Sequence, residues 1–310
     1  MAWTEADMPE LSGKTIIVTG ANSGLGFEAA RAFAAKGAEV ILGCRNSDKA
    51  KAASDAIAAR HPSARLEIGA LDLSSLASVR AFADWFRSRR ERLDVLANNA
   101  GVMALPRRET ADGFEMQFGT NHLGHFALTG LLLPSLLRAP GARIVSQSSS
   151  AHRFGSIDFD DLNGKRRYGR WRAYGQSKIA NLLFAYELQR RLAASGADAI
   201  SVACHPGYSA TELQFAGARM EGSSLMERLF TLGNRFLAQD AATGALPLLY
   251  AATAADVRGG DYIGPDGIGE AWGCPKKVGS NERSHDTAVA ARLWAVSEEL
   301  TGVRYDFAST

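Results

Sequence analysis

Several features that would point to a specialised class of protein are missing from this sequence. Only three cysteines occur among the 310 residues, Cys44, Cys204 and Cys274, and none of them forms a Cys-x-x-Cys pair. This odd, widely spaced set predicts reduced thiols and a cytoplasmic protein rather than a disulfide framework. The histidines lie in different predicted elements and no pair has the spacing of metal ligands, so we expect no metal.

Long apolar runs and an excess of one charge are also missing. No run is long enough to span a bilayer, and the stretch from Met1 to Lys14 has no apolar core of the kind found in signal peptides. Lysine and arginine total 35 against 33 aspartate and glutamate, a formal net charge of +2. That balance argues against nucleic acid and against an anionic membrane surface as partners. We therefore expect a soluble protein without a membrane span.

The chain does contain a regular alternation of short β-branched runs with longer helical patterns. Thr15–Thr19 is the first predicted strand, and a helix predicted over Gly24–Ala35 follows it. This rhythm predicts an α/β fold, a single Rossmann-type domain over residues 1–310 in which helices cover both faces of a doubly wound parallel sheet. Two segments that follow strands are expected to border the ligand. They are the predicted substrate loop, at about residues 208–239, and the stretch Asp158–Arg172. The further predicted strands are 40–42, 66–68, 94–97, 143–146, 199–203 and 261–264.

The turn after the first strand has the composition of a nucleotide-binding loop. Gly20 permits a sharp turn, Gly24 lets the backbone approach a pyrophosphate, and Gly26 allows close helix packing. The helix N-terminus then faces the negative charge of the phosphates. A purely structural turn is the alternative, but the strand–turn–helix context favours nucleotide binding. The residues predicted to contact the cofactor here are Gly20, Asn22, Ser23, Gly24, Leu25 and Gly26.

The end of the second strand distinguishes between the two nicotinamide cofactors. An acidic residue there holds the ribose 2′-hydroxyl, whereas an arginine accommodates a 2′-phosphate. This chain reads Gly43-Cys44-Arg45-Asn46, with no carboxylate and with Arg45 available. A guanidinium matches a phosphate dianion well, although Arg45 as a solvated loop residue is the alternative. We predict a preference for NADP(H), with NAD(H) as the other possible cofactor.

Polar and small residues also follow the third and fourth strands. Asp72 is positioned to contact the adenine through its carboxylate, and the small residues after the fourth strand leave room for the nicotinamide ribose. A helix cap or a turn is the alternative for each motif taken alone. The predicted cofactor contacts in these two motifs are Asp72, Leu73, Asn98, Asn99, Ala100 and Gly101.

Tyr174 and Lys178 are four residues apart on one predicted helix face, within reach of each other. A free tyrosine has a pKa of about 10, which is too high for acid–base catalysis at neutral pH. A neighbouring lysine cation, together with a positively charged oxidised nicotinamide, favours the phenolate and is expected to lower the pKa of the tyrosine. An exposed helix pair with no function is the alternative, so the pattern needs a third residue.

A serine run, Ser148 to Ser150, lies at the end of the fifth predicted strand and supplies that residue. A hydroxyl at this edge can donate to a substrate oxygen as negative charge develops on it. Asn121 is unfavourable in a helix interior, and it therefore predicts a local distortion or a bound water.

Taken in order, these motifs resemble the short-chain dehydrogenase/reductase family over about residues 14–303. Three further segments are similar to the subgroup that contains retinol dehydrogenases and protochlorophyllide reductases, namely Asp112–Glu115, Asn121–Phe126 and Leu293–Ser297. The resemblance implies that Tyr174 is the general acid/base and that Lys178 is its partner and holds the nicotinamide ribose. It also implies that Asn121 holds a water in a proton relay and that Ser149, rather than Ser148 or Ser150, is the catalytic serine. The remaining implied cofactor contacts are Pro206, Gly207 and Thr211.

These residues predict an oxidoreductase that transfers a hydride between NADP(H) and the carbonyl or alcohol carbon of a small, lipophilic substrate. One alternative is a non-catalytic redox sensor that binds NADP(H), which would not need the set of Ser149, Tyr174 and Lys178. Another is a different net reaction on the same cofactor, such as epimerisation, which net consumption of NADPH would distinguish. The resemblance also implies a homodimer or a homotetramer.

Overall fold

The computed structural model describes residues 2–208 and 239–308. Thr211 and nearly all of the predicted substrate loop lie outside these residues. None of the helices in the described ranges has the length and apolar character needed to cross a bilayer.

In the described part of the chain, eight strands form one sheet in the order β3-β2-β1-β4-β5-β6-β7-β8. Every neighbouring pair is parallel except β7 and β8, which are antiparallel. The predicted doubly wound parallel sheet is therefore confirmed, with one antiparallel edge strand added. The strands are β1 Thr15–Thr19, β2 Glu39–Cys44, β3 Arg65–Ala70, β4 Val95–Asn98, β5 Arg143–Gln147, β6 Ile200–Cys204, β7 Tyr262–Pro265 and β8 Pro275–Lys277.

Helices cover both faces of the sheet, and this explains the unbroken apolar character of its strands. In β1, Ile16 and Val18 pack on one face while Ile17 packs on the other. The first face carries α1 Gly24–Ala35, α2 Ser47–Arg60 and α6 Ala241–Thr253. The opposite face carries α3 Leu76–Arg87, α4 Gly124–Leu137, α5 Arg170–Ser195 and α7 Thr287–Thr301.

The long helical pattern predicted around residues 114–137 is not one regular helix. A single turn at Met116–Phe118 leads into a wider π-helical turn at Gly119–Leu123, and α4 begins only after it. Asn121 lies within the wide turn, so the predicted local distortion is confirmed. Such turns occur frequently at functional sites.

The strand order reverses between β1 and β4, and this reversal sets the position of the site. The connections after β1 and β4 leave in opposite directions along the sheet, which opens a crevice at the carboxyl ends of the strands. The predicted motifs after β1, β2, β3, β4, β5 and β6 all emerge at this edge.

Candidate active site

The glycine turn after β1 favours glycine at three positions, two through backbone conformation and one through close packing. Gly20 and Gly24 have φ values of +68° and +55°, in the left-handed region. A Cβ at Gly26 would overlap the Gly20 carbonyl and approach Asn99 Nδ2 to 2.6 Å. Ser23 precedes α1 without a capping hydrogen bond from its side chain, so its hydroxyl leaves the first-turn amides open to an anion. The turn therefore fits the phosphates of a dinucleotide.

The turn after β4 is held against the end of β1. Thr19 Oγ1 accepts the backbone N–H groups of Asn99 and Ala100 at 3.0 and 2.9 Å, and Asn99 Nδ2 donates to the Thr19 carbonyl at 2.9 Å. Asn98 is buried and donates to Thr129 Oγ1 at 3.0 Å, while its Oδ1 has no partner among the described residues. These bonds fix the wall of the crevice at the strand reversal.

Gly101 connects this wall to the predicted catalytic residues. A Cβ at Gly101 would lie 3.1 Å from Asn121 Oδ1 and 3.6 Å from Lys178 Nζ. The small residue predicted at this position therefore leaves space directly beside the lysine ammonium. The structure brings the asparagine motif and the Tyr-xxx-Lys motif to one place, as a shared site requires.

Helix α5 carries Tyr174 and Lys178, and both side chains are buried. Lys178 Nζ lies 5.6 Å from the centre of the Tyr174 ring and donates to the Gln147 carbonyl at 3.2 Å. Ser149 caps the short 3₁₀ turn Ser150–Phe154, where its hydroxyl accepts the Ala151 N–H at 3.3 Å, and its side chain is near enough to Tyr174 to influence the pKa of the phenol. Two segments distant in sequence thus place two hydroxyls and one ammonium together.

The three serines after β5 have different surroundings. Ser148 is buried, and its hydroxyl donates to the Lys178 carbonyl at 2.9 Å. Ser149 is partly buried beside Tyr174, whereas Ser150 is exposed. Only the middle serine combines access with contact to the tyrosine, which supports its choice, although its catalytic role stays a prediction.

Asn121 uses its side chain to hold two parts of the site together. Oδ1 accepts the Val102 N–H at 2.8 Å, and Nδ2 donates to the Val102 carbonyl and to Ser177 Oγ, each at 2.9 Å. Its own carbonyl accepts from His125 Nδ1 at 3.0 Å. Asn121 thereby joins the turn after β4 to helix α5, and the predicted water remains a prediction.

Burial dominates the acid–base behaviour of the pair on α5. It raises the pKa of Tyr174 to about 12, against a smaller lowering by the neighbouring Ser149 side chain. It lowers the pKa of Lys178 to about 8. Removal of both groups from water penalises their charged forms and accounts for both shifts. The expected lowering of the phenol pKa by Lys178 and the positively charged oxidised nicotinamide together stays a prediction. At neutral pH the tyrosine is protonated.

The residues predicted to contact the adenosine end differ in their surroundings. Arg45 is exposed just after β2, with no hydrogen bond or ion pair of its side chain among the described residues. Asp72 Oδ1 accepts from the Ser74 amide at 3.0 Å and from the Ser74 hydroxyl at 2.6 Å. These bonds form a local turn, which is the alternative to a contact between Asp72 and adenine. Leu73 is buried and packs against Gly124. The structure thus gives Asp72 a structural role and leaves its contact with adenine a prediction.

Pro206 and Gly207 follow β6 at the same edge, and both are partly buried. Gly207 has a φ of +69°, and a Cβ there would overlap the Ala271 carbonyl. The predicted contact of Thr211 with the cofactor lies outside the described residues.

Sequence reasoning missed several residues that support the site. The Gln147 carbonyl accepts from Lys178 at 3.2 Å and from Asn181 at 2.9 Å, and a main-chain acceptor leaves no signature in the sequence. His125 Nε2 lies 2.9 Å from Thr19 Oγ1, so this histidine ties the wide turn to β1. No group of three potential metal ligands occurs within the described ranges.

A doubly wound sheet with a glycine turn at its reversal and a serine, tyrosine and lysine at its carboxyl edge defines a dinucleotide-dependent oxidoreductase. The family model for the short chain dehydrogenase matches residues 14–221. The chain therefore belongs to the short chain dehydrogenase family, whose members use NAD(P), and it is an oxidoreductase acting on CH–OH groups.

Curated relatives and a solved structure support the narrower resemblance found in the sequence. Retinol dehydrogenase 12 from Mus musculus is 40% identical over 299 residues, covering 96% of this chain and 89% of its own. Retinol dehydrogenase 13 from Homo sapiens is 44% identical over 301 residues, covering 94% and 86%. A crystal structure of an uncharacterized protein from Mycobacterium paratuberculosis superposes with a TM-score of 0.81 at 43% identity, covering 99% of this chain and 100% of that one. The resemblance to retinol dehydrogenases is confirmed.

Proposed function

We propose that this protein is an NADP(H)-dependent oxidoreductase that interconverts the carbonyl and alcohol forms of a small, lipophilic substrate. The observation that carries the proposal is the convergence of Ser149, Tyr174 and Lys178 at the edge where the strand order reverses. Ser149 comes from the end of β5, while the other two lie on α5. A redox sensor would need the glycine turn but not this group of side chains.

The hydroxyls of Ser149 and Tyr174 have different roles at the substrate oxygen. When bound, NADP(H) supplies or accepts the hydride at the neighbouring carbon. Ser149 donates a hydrogen bond that stabilises negative charge on the oxygen as it develops. Tyr174 delivers its proton to that oxygen during reduction and accepts it during oxidation. The high pKa that burial gives to Tyr174 keeps the phenol protonated and ready to donate.

Lys178 has donors left for the cofactor. Its ammonium carries three N–H groups, and among the described residues the Gln147 carbonyl accepts from it. The remaining donors suit the hydroxyls of the nicotinamide ribose. The Asn121 side chain, by contrast, is hydrogen-bonded to Val102 and Ser177. These bonds hold α5 at a fixed distance from the turn after β4.

The preference for NADP(H) rests on the position of Arg45. Strands β1 and β2 pair so that Thr19 lies beside Gly43, and the Gly20 amide donates to the Gly43 carbonyl at 2.8 Å. Arg45 lies two residues beyond this point, next to the glycine turn. An exposed guanidinium there matches a 2′-phosphate, and residues 44–46 contain no carboxylate to hold a free 2′-hydroxyl.

A lipophilic substrate is supported by the surroundings of Tyr174. Trp171 lies one turn before it on α5, is 47% exposed, and packs edge-on against its ring with centroids 6.1 Å apart. Trp171 and Tyr168 also line a cavity of about 560 Å³, and their two rings are the part of its lining that favours an apolar substrate, since the other walls include Arg107, Arg170 and Arg172. The curated relatives described above are retinol dehydrogenases by name, which agrees with an apolar substrate. Cytoplasmic location and a homodimer or homotetramer stay predictions.

Turnover of NADPH with long-chain and short-chain aldehydes tests the proposal, with Tyr174→Phe compared against Tyr250→Phe. Both changes remove one phenol hydroxyl, but Tyr250 lies on α6 and bonds to Asp256. We expect Tyr174→Phe to lose about 10²–10⁴-fold in kcat while NADPH binding persists. Equal turnover in the two variants would exclude Tyr174 as the acid, and NADPH binding by the wild type with no turnover on any aldehyde would favour the sensor.

Arg45→Gln tests the cofactor preference, with the exposed Arg60→Gln as the matched control. Loss of a charge-assisted contact with phosphate costs about 1.5–3 kcal/mol, which corresponds to about a 10- to 100-fold rise in the KM for NADPH. The KM for NADH should stay the same, since NADH has no 2′-phosphate. Equal changes for both cofactors would contradict the role of Arg45.

A further inference from the structure

His205 directly precedes Pro206 and Gly207, and its ring is completely buried. Nδ1 accepts the Gly207 N–H at 3.3 Å. Because this nitrogen accepts, the neutral ring carries its proton on Nε2, which donates to Glu270 Oε2 at 3.0 Å. The ring therefore connects the backbone of the Pro206–Gly207 turn to a carboxylate on the β7–β8 connection.

The same carboxylate oxygen binds a second residue from the opposite side of the site. Arg153 Nη2 lies 2.9 Å from Glu270 Oε2. Arg153 belongs to the 3₁₀ turn Ser150–Phe154, which begins directly after Ser149. The hydrogen bond from His205 and the nearby Arg153 cation hold the pKa of Glu270 below its ordinary value, so the carboxylate is charged at neutral pH. Glu270 thus joins the segment of the catalytic serine to the turn after β6.

The backbone at Glu270 is held in an unfavourable conformation. Its φ is +60°, directly after Gly269 at +63°, and a non-glycine residue in this region is uncommon. The surrounding packing accommodates the contact, since a Cβ at Gly264 would overlap His205 Nε2. The Tyr208 amide also donates to the Ala271 carbonyl at 2.7 Å, which fixes the next residue of the connection against the same turn. Strain of this kind persists where a contact depends on it.

We propose that Glu270 is a positioning residue, which through His205 and Arg153 sets the distance between Ser149 and the turn that borders the nicotinamide. The inference rests on the proposed function, because it takes Pro206 and Gly207 to lie against the nicotinamide. Ser149 polarises the substrate oxygen while the cofactor reacts at the neighbouring carbon, so their relative position governs the transfer. A change at Glu270 is then expected to alter cofactor affinity and kcat together, without altering the KM for the aldehyde.

Three substitutions separate the carboxylate from the backbone that carries it. Glu270→Ala removes the carboxylate, Glu270→Gln keeps an oxygen that accepts from His205, and Glu270→Gly removes the carboxylate while relieving the positive φ. The matched control is Glu282→Gln, an exposed glutamate in the next turn of the chain. NADPH affinity is measured by its fluorescence on binding, which needs no turnover, and kcat and both KM values are measured with one aldehyde.

We expect Glu270→Ala and Glu270→Gly each to weaken NADPH binding about tenfold and to lower kcat by a similar factor. Glu270→Gln should recover part of both losses, and Glu282→Gln should match the wild type. Unchanged NADPH affinity and kcat in Glu270→Ala and Glu270→Gly would overturn the inference, even if the melting temperature falls. Failure of the wild type itself to bind NADPH or NADH would instead overturn the proposed function.

Discussion

The glycine turn after β1 and the catalytic edge after β5 are built on different physical principles. Residues 20–26 contain no ionisable side chain, and the turn depends on backbone conformation and on the space left by Gly26. The catalytic edge depends on Tyr174 and Lys178, whose pKa values are both shifted by burial. A shape that receives phosphates can be built from seven consecutive residues, whereas a shifted pKa needs neighbours from distant parts of the chain to exclude water.

Because the two regions differ in this way, substitutions in them should affect kcat and cofactor affinity differently. Changes at Ser149 and Tyr174 are expected to lower kcat with little effect on cofactor affinity, because these two side chains act on the substrate oxygen. Changes in the glycine turn are expected to weaken cofactor binding and the fold while leaving kcat at saturating NADPH near normal.

After Tyr174→Phe, the largest effect is expected from Ser149→Ala. Removal of a donor that stabilises a developing negative charge typically lowers kcat by about 10²–10³-fold. NADPH affinity, measured by fluorescence, should stay the same. Ser150→Ala is the control, since Ser150 is the exposed neighbour of Ser149. A loss of kcat in Ser150→Ala with none in Ser149→Ala would move the catalytic role by one residue.

The next largest effect is expected on stability, from Lys178→Met. Burial lowers the pKa of Lys178 from the ordinary 10.5 to about 8, so between these values the unfolded chain binds a proton that the folded protein does not. The free energy of unfolding attributable to the lysine therefore rises with pH across this window. Below it, the buried charge costs on the order of 3 kcal/mol.

Lys178→Met should accordingly be more stable than the wild type at pH near 7, although it loses activity. The difference should shrink as pH rises from about 8 and disappear near 10.5. Urea unfolding of both proteins across this range measures it. A variant that is less stable than the wild type by the same amount at every pH would show that the lysine is stabilising and that its burial carries no penalty.

A smaller effect is expected in the other region, from Gly26→Ala. The added methyl group overlaps the Gly20 carbonyl and crowds Asn99, so we expect a loss of about 1–3 kcal/mol in the free energy of unfolding. Weaker NADPH binding should accompany it, with kcat at saturating NADPH nearly retained. Gly279→Ala is the control, because no atom lies within 4 Å of a Cβ at Gly279. Unchanged stability and affinity in Gly26→Ala would contradict the close packing of this turn.

Much of the fold could be predicted from the sequence where the signal is local. The predicted bounds of Thr15–Thr19 and Gly24–Ala35 agree with β1 and α1, since an apolar run, a glycine turn and a helical pattern follow one another directly. Strand β8 was not predicted, because Pro275-Lys276-Lys277 has no apolar run and forms only by pairing with β7. Helix α6 was also not predicted, and its packing against α1 and the sheet stabilises it despite Pro247 in its interior.

By itself, the sequence determined the family, the sheet of parallel strands and the identity of the paired residues Tyr174 and Lys178, because each follows from spacing along the chain. Only the tertiary structure decided how the three serines after β5 differ in burial, in which direction burial shifts the pKa of the phenol, and that Glu270 joins His205 to Arg153. These properties depend on water exclusion and on contacts between residues far apart in sequence. Water exclusion and long-range contacts cannot be inferred from any local sequence pattern, because they arise only when the chain has folded.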